Sequence, residues 1–222
     1  MLQDGIRFFN QKHWDEALDE FMQVRTDEEG DEAIELAYYL GLCYTKLQQY
    51  DEALLYLDQV VAAGKNMLRV HQCRLTLAYI YVTTNRAKMA QFELERVLNT
   101  GSETAQLYSI LGFAAWMEKQ YDRAVECYTK AIKLDERNTT ALNGLGYILV
   151  DTDKNMEKGI SLCKLAVNYN PKNAAYLDSL GWAYFKKGDT HEATTWLRKA
   201  LDVAPQPQQK EIRNHIKIVA GV

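Results

Sequence analysis

The sequence contains very little proline. Three prolines in 222 residues leave almost nothing to interrupt a helix, and twelve glycines are too few for a fibrous or low-complexity chain. Long hydrophobic runs are missing too. Charged residues break every apolar stretch, so no membrane-inserted segment is expected. Residues 1–30 lack a basic start followed by an apolar stretch, so no signal peptide is expected either. There is no basic excess: the net charge is −4, which argues against nucleic acid as a partner because phosphate binding wants a basic face. Cysteines are not paired in sequence. Cys43, Cys73, Cys127 and Cys163 lie far apart, with none of the C-x2-C spacing that zinc favours. Each falls on a helix position expected to be buried, where cysteine acts as a small hydrophobe. Unpaired buried thiols fit a reducing compartment, so the expected location is cytoplasmic. A signal or lipoprotein segment preceding Met1 in the native chain would change that to periplasmic or membrane-anchored.

Catalytic patterns are also missing. His13, His71, His191 and His215 are isolated, and His13 and His191 fall at expected turns, where an exposed histidine needs no special role. Gly144-Leu145-Gly146 lies inside a helical pattern with no strand before it, so it is not a phosphate loop. Asp151-Thr152-Asp153-Lys154-Asn155 imitates the start of a calcium loop, but Met156 and Leu162 stand where glycine and glutamate are required. Capping of a helix that starts near Met156 is the simpler account. Asn138-Thr139-Thr140 matches a glycosylation triplet of a kind that arises often by chance. No catalytic, cofactor or metal residue is assigned, and the chain is not expected to be an enzyme.

What is present is helix-forming and periodic. The chain is 47% hydrophobic and 25% charged, a folded and soluble composition. Charge is uneven: residues 1–110 carry 10 basic and 17 acidic side chains, residues 111–222 carry 16 and 13. Much of the acid lies between Asp15 and Glu35 and reads as a solvated helix surface. A small residue is followed 12 positions later by alanine five times: Gly5 to Ala17, Gly41 to Ala53, Ala78 to Ala90, Gly112 to Ala124 and Gly181 to Ala193. The remaining copy, Gly146 to Gly159, is one residue longer. A mid-helix glycine costs ~1 kcal/mol relative to alanine, so its recurrence implies close helix packing. Gly41, Gly112 and Gly181 are expected to face Ala53, Ala124 and Ala193, while Tyr44, Leu57, Tyr128, Tyr184 and Leu197 fill the groove to the next repeat.

One copy reads Leu177, Leu180-Gly181, Tyr184, Ala193, Leu197, Ala200 and Pro205; another reads Ala37, Leu40-Gly41, Tyr44, Tyr50, Ala53, Leu57 and Val60. This resembles the tetratricopeptide repeat, a helix–turn–helix unit of about 34 residues. Six copies tile the chain at residues 1–31, 34–67, 71–104, 105–138, 139–173 and 174–207. The resemblance implies an all-α fold, a right-handed α-solenoid of antiparallel helix pairs. Altered stacking is expected where three extra residues, Leu68–Val70, precede the third repeat and where the fifth carries its insertion at Asp151–Asn155. Ile212, Ile216 and Val219 then form one apolar stripe in residues 208–222, which reads as a capping helix over Trp196 and Leu197 of the sixth repeat.

In that family the first helices of successive repeats line a concave groove that takes peptides. By spacing, the groove residues here are Phe9, Tyr38, Leu42, Tyr79, Phe113, Trp116, Met117, Asn143, Tyr147, Trp182 and Phe185, with Asp178 beside the last two. A contiguous set of exposed aromatics would mark an interaction site. The basic clamp with which some relatives hold a C-terminal carboxylate is absent: Tyr38, Leu42, Thr76, Ser109 and Phe113 occupy such positions. The expected function is a scaffold or adaptor that binds an apolar or amphipathic segment of a protein or peptide. The segment 173–184 is similar to the last repeat of bacterial envelope and pilus assembly factors. The alternatives are a homo-oligomer in which a second copy fills the groove, and an interaction module of a larger enzyme or complex.

Replacing Ile212 and Ile216 together by Asp should uncover the last repeat. Burying two such side chains is worth ~3–6 kcal/mol before losses, so the melting curve should shift visibly downward. An unmoved curve would mean that the segment is not a cap.

Overall fold

A computed structural model describes residues 1–26 and 30–221, so residues 27–29 of the acidic run lie outside the described part. Among the described residues there are thirteen helices and no strand, as the repeat pattern requires. They are α1 (Leu2–Asn10), α2 (Trp14–Met22), α3 (Asp31–Lys46), α4 (Tyr50–Ala63), α5 (Met67–Thr83), α6 (Ala87–Leu98), α7 (Ala105–Met117), α8 (Tyr121–Leu134), α9 (Thr139–Asp151), α10 (Met156–Tyr169), α11 (Ala174–Lys187), α12 (Thr190–Val203) and α13 (Gln206–Ala220). The chain divides into two compact units, Met1–Glu103 and Thr104–Val222. Within each, every odd-numbered helix packs on the even-numbered one that follows, and the first helices of neighbouring repeats touch. In the second unit α13 packs on both α11 and α12, the position of a first helix in a further repeat.

The turn inside each pair has a repeated geometry. Lys12, Gln48, Asn85, Lys119 and Asp153 adopt positive φ between 53° and 66°, and Gly188 does so in the sixth pair at 91°. This left-handed residue lets the next amide reach back five positions to close the helix end, as His13 N does to Phe8 O at 3.0 Å and Gln120 N to Ala115 O at 2.9 Å. In the fifth pair the closing bond runs instead from Asn155 N to Leu149 O, six positions back. The inserted residue is absorbed there, and Asn155 still caps α10 by accepting from Lys158 N at 3.0 Å. The three extra residues before the third repeat are absorbed differently, inside the first turn of the 17-residue α5.

Packing inside a pair corrects one expectation. The glycines do lie at the close approach, but the side chain over each belongs to the residue one turn beyond the alanine. A Cβ on Gly41 would stand 2.8 Å from the Leu57 side chain, on Gly112 2.9 Å from the Tyr128 ring, and on Gly181 2.7 Å from Leu197. All three overlying side chains are buried. Tyr128 reaches the next repeat as well, since its ring also covers Gly144 of α9. Tyr44 and Tyr184 point the other way: Tyr44 Oη lies 3.8 Å from Met22 Sδ, and the Tyr184 ring takes the Lys164 ammonium at 5.3 Å. Both face the preceding repeat, and the Tyr44 ring also stacks on Tyr56 of its own pair at 5.6 Å.

Two substitutions test these contacts. Gly112→Ala should destabilise by about 1–3 kcal/mol, because its Cβ would stand 2.9 Å from the Tyr128 ring, which also lies against Gly144. Lys119→Gly should raise stability by about 1 kcal/mol, since a left-handed conformation costs a residue with a Cβ ~1–2 kcal/mol and glycine very little. Urea unfolding of both variants measures the two effects, and a Gly112→Ala variant as stable as the parent would contradict the packing argument.

Candidate functional site

The expected groove residues meet different fates in the two units. In the first unit, Tyr38 and Leu42 are buried, and the Tyr38 ring lies under the Arg69 guanidinium at 5.2 Å. Phe9 packs edge-on against Trp14 at 5.0 Å and Tyr39 at 5.5 Å. These three are held in packing rather than presented to a ligand, because the short α1 leaves its ring to be covered by α2 and α3. Tyr79 is the exception, 48% exposed on α5.

In the second unit three aromatics converge. Phe113 stacks on Trp116 with centroids 5.5 Å apart, and Trp116 meets the edge of Tyr147 at 5.9 Å. Phe113 and Trp116 are one turn apart on α7; Tyr147 lies on the neighbouring first helix, α9. They open onto a cavity of about 410 Å³ whose base includes Tyr128 and whose far side is built from α11 and α13. Asn143, Tyr176, Asp178, Ser179, Glu211, Ile212 and His215 complete most of the lining. Met117, Trp182 and Phe185 stand outside it. Trp182 tilts against Phe185 at 5.3 Å and against His215 at 4.7 Å, and its Nε1 donates to Asp151 Oδ1 at 3.4 Å. The five expected aromatics therefore form two groups, Phe113, Trp116 and Tyr147 at the cavity and Trp182 with Phe185 outside it, Trp182 packing against His215 of α13.

A polar seam ties the first helices of this unit together. Asn138 caps α9 by accepting from Ala141 N at 2.9 Å and from Ser109 Oγ of α7 at 3.0 Å. Tyr176 Oη of α11 lies 3.1 Å from Thr139 Oγ1, and Asn143 Nδ2 donates to Ser179 Oγ at 3.1 Å. Among the described residues Asn143 Oδ1 is buried with no hydrogen-bond partner, a state that a folded protein normally avoids. Burial pushes the Tyr147 phenol up to about 12, helped by the charges of Asp151, Asp178 and Glu211. His215 Nδ1 lies 2.9 and 3.0 Å from the two Asp178 carboxylate oxygens, joining α13 to α11. That bond raises the His215 pKa above its ordinary value; burial opposes the rise and the charges of Asp178 and Glu211 add to it.

Spacing did not single out His215, Glu211, Tyr176 or Ser179. The signal for His215 was present: it lies three residues after Ile212 and one before Ile216, on the buried stripe of α13. The four cysteines are free and buried, and burial pushes the thiols of Cys43, Cys73 and Cys163 up to about 12, far from a reactive thiolate. Among the described residues no group of three or more His, Cys, Asp or Glu could hold a metal ion, and no helix is long and apolar enough to cross a membrane.

Comparison with known proteins decides the family. Residues 6–174 match the family described as tetratricopeptide repeat protein 21 C-terminal ARM domain, and residues 174–207 match the tetratricopeptide repeat itself. The chain belongs to the tetratricopeptide-repeat family. Among its relatives are the cell division cycle protein 27 homolog of Caenorhabditis elegans, 29% identical over 113 residues, and the TPR repeat-containing protein PA4667 of Pseudomonas aeruginosa, 38% identical over 68 residues. Those matches take in 50% and 31% of this chain but only 14% and 12% of the relatives. The crystal structure of YrrB, a TPR protein with an unusual peptide-binding site, is similar in fold: the TM-score is 0.57 at 20% identity, over 92% of this chain and 97% of YrrB.

The His215–Asp178 pair gives this tetratricopeptide-repeat unit a pH signature. The folded state binds the His215 proton more tightly than the unfolded chain, whose histidine titrates near 6.5. The pair's contribution is therefore full below that pH and is lost as pH rises through the raised folded-state value. The groups facing the ring are Asp178 and Trp182 on α11 and Glu211 on α13 itself. His215→Gln should cost more stability at pH 6 than at pH 9, and in Asp178→Asn that pH dependence should vanish. Equal losses at both pH values would show that the imidazole is neutral throughout.

Proposed function

We propose that this chain is an interaction scaffold whose second unit receives an apolar or amphipathic segment of another protein in the cavity between α7, α9, α11 and α13. The observation that carries this reading is the Phe113–Trp116–Tyr147 trio opening onto about 410 Å³ of concave space. Phe113 is 38% exposed, and a large ring left facing solvent beside a cavity is the arrangement from which binding hot spots are built. That YrrB, with the same fold, has a peptide-binding site lends the reading support. The short span relative to its relatives also favours a module working within a larger assembly. A reducing, cytoplasmic setting suits four unpaired cysteines. Envelope or pilus assembly remains a proposal resting on the resemblance of residues 173–184.

Panning a random twelve-residue peptide library on the chain, followed by titration of the selected peptides, tests the site. Phe113→Ala and Trp116→Ala should each weaken binding by ~2–4 kcal/mol, about thirtyfold or more, with a smaller effect on the melting temperature in Phe113→Ala. Peptides that bind the double variant as well as the parent would place the binding surface elsewhere.

A further inference from the structure

The charged side chains on the cavity lining are Asp178, Glu211 and His215. Asp178 is engaged by His215, and Glu211 stands exposed on α13 with no ion pair among the described residues. The Asn143 amide spends its Nδ2 on Ser179 and leaves Oδ1 without a donor. Lys186 and Asp151 lie outside the lining, 3.8 Å from each other. The basic side chains of α13, namely Lys210, Arg213 and Lys217, lie outside the cavity lining. The balance around the space is therefore acidic whichever state His215 adopts: −1 with the imidazole charged and −2 with it neutral, counting Asp178, Glu211 and His215. Three carboxylates raise the Tyr147 phenol in addition to burial, which reports the same negative potential. Aromatic faces on one side and carboxylates on the other attract a cation that brings its own N–H groups.

Building on the groove reading above, we propose that this cavity recognises a basic side chain, lysine or arginine, carried by an otherwise apolar segment of a partner protein. The apolar flanks lie on Phe113 and Trp116, and the ammonium or guanidinium enters between the Tyr147 ring and the Asp178 and Glu211 carboxylates. The charge complementarity selects this occupant over an acidic tail, which would meet the exposed Glu211 carboxylate and Asp178 beside it.

The probe is a synthetic peptide set with Lys, Arg, norleucine, citrulline or Glu at a central position, flanked by mixed Leu, Ile, Met and Phe. Binding to the full chain is read by fluorescence anisotropy. Lys and Arg pools should bind at least about tenfold more tightly than their uncharged counterparts, and the Glu pool should bind least. Glu211→Gln, an exposed position whose loss leaves the fold intact, should erase most of that preference while changing norleucine-pool affinity less than about twofold. Asp178→Asn should act in the same direction. Equal affinity for charged and neutral pools, each weakened by Phe113→Ala, would overturn the basic-residue inference and leave the groove reading standing. No pool binding, or binding indifferent to Phe113→Ala, would overturn both. Sedimentation of the chain alone supplies the last arm: a dimer that dissolves on Phe113→Ala would assign the cavity to a second copy and overturn the proposal.

Discussion

Tyr128 lies between two glycines, Gly112 of its own repeat and Gly144 of the next, and its ring sets how closely α7, α8 and α9 approach. Neither glycine can gain a side chain without pushing on the ring, which is buried and lies against both. Because α7 and α9 are fixed by one shared spacer, their outward faces are fixed too. Phe113 and Trp116 meet Tyr147 for that reason, and Tyr128 itself forms part of the cavity base. The candidate site is thus the outer face of a packing solution: what holds the helices together also aims the aromatics.

The hydrogen bonds between first helices follow the same logic. A helix in a repeat array cannot bury its whole apolar face, so its neighbours must hold it in register. The Tyr176–Thr139 and Asn143–Ser179 contacts do this with side chains roughly one repeat apart, without filling the concave space. Among the described residues the Asn143 side-chain oxygen is left without a partner in this seam, and Asn143 lines the cavity. Polar groups left unsatisfied in folded proteins tend to have a cause, and here a donor from a partner would supply one.

The helices were legible in the sequence because the small-residue spacing repeats, and five of the six inner turns were legible because that spacing is 12 residues in each. The one longer copy was visible as well, and its insertion is where the closing hydrogen bond slips by one residue. Side-chain direction was less legible. Spacing counts positions and does not say whether Tyr44 faces the repeat before or after its own; it reaches Met22 of the one before. Spacing likewise placed Leu42 and Phe113 at equivalent groove positions, each directly after its repeat's glycine. Leu42 is buried while Phe113 stays exposed, a difference that spacing does not carry. His215 escaped notice because one histidine on an apolar stripe carries no partner in the linear sequence; Asp178 lies 37 residues earlier.

α13 does two things at once. It covers the last helix pair, and through Glu211, Ile212 and His215 it forms one wall of the cavity. Anything that fills the cavity therefore touches a helix whose docking is itself an equilibrium. Thermodynamic linkage makes the effect reciprocal: an occupant that prefers docked α13 tightens its attachment by the factor by which docking improves occupancy. Fraying of that helix would behave as a weak competitor of the ligand. Hydrogen-exchange protection along Gln206–Ala220 would then serve as a gauge of occupancy without any label on the partner.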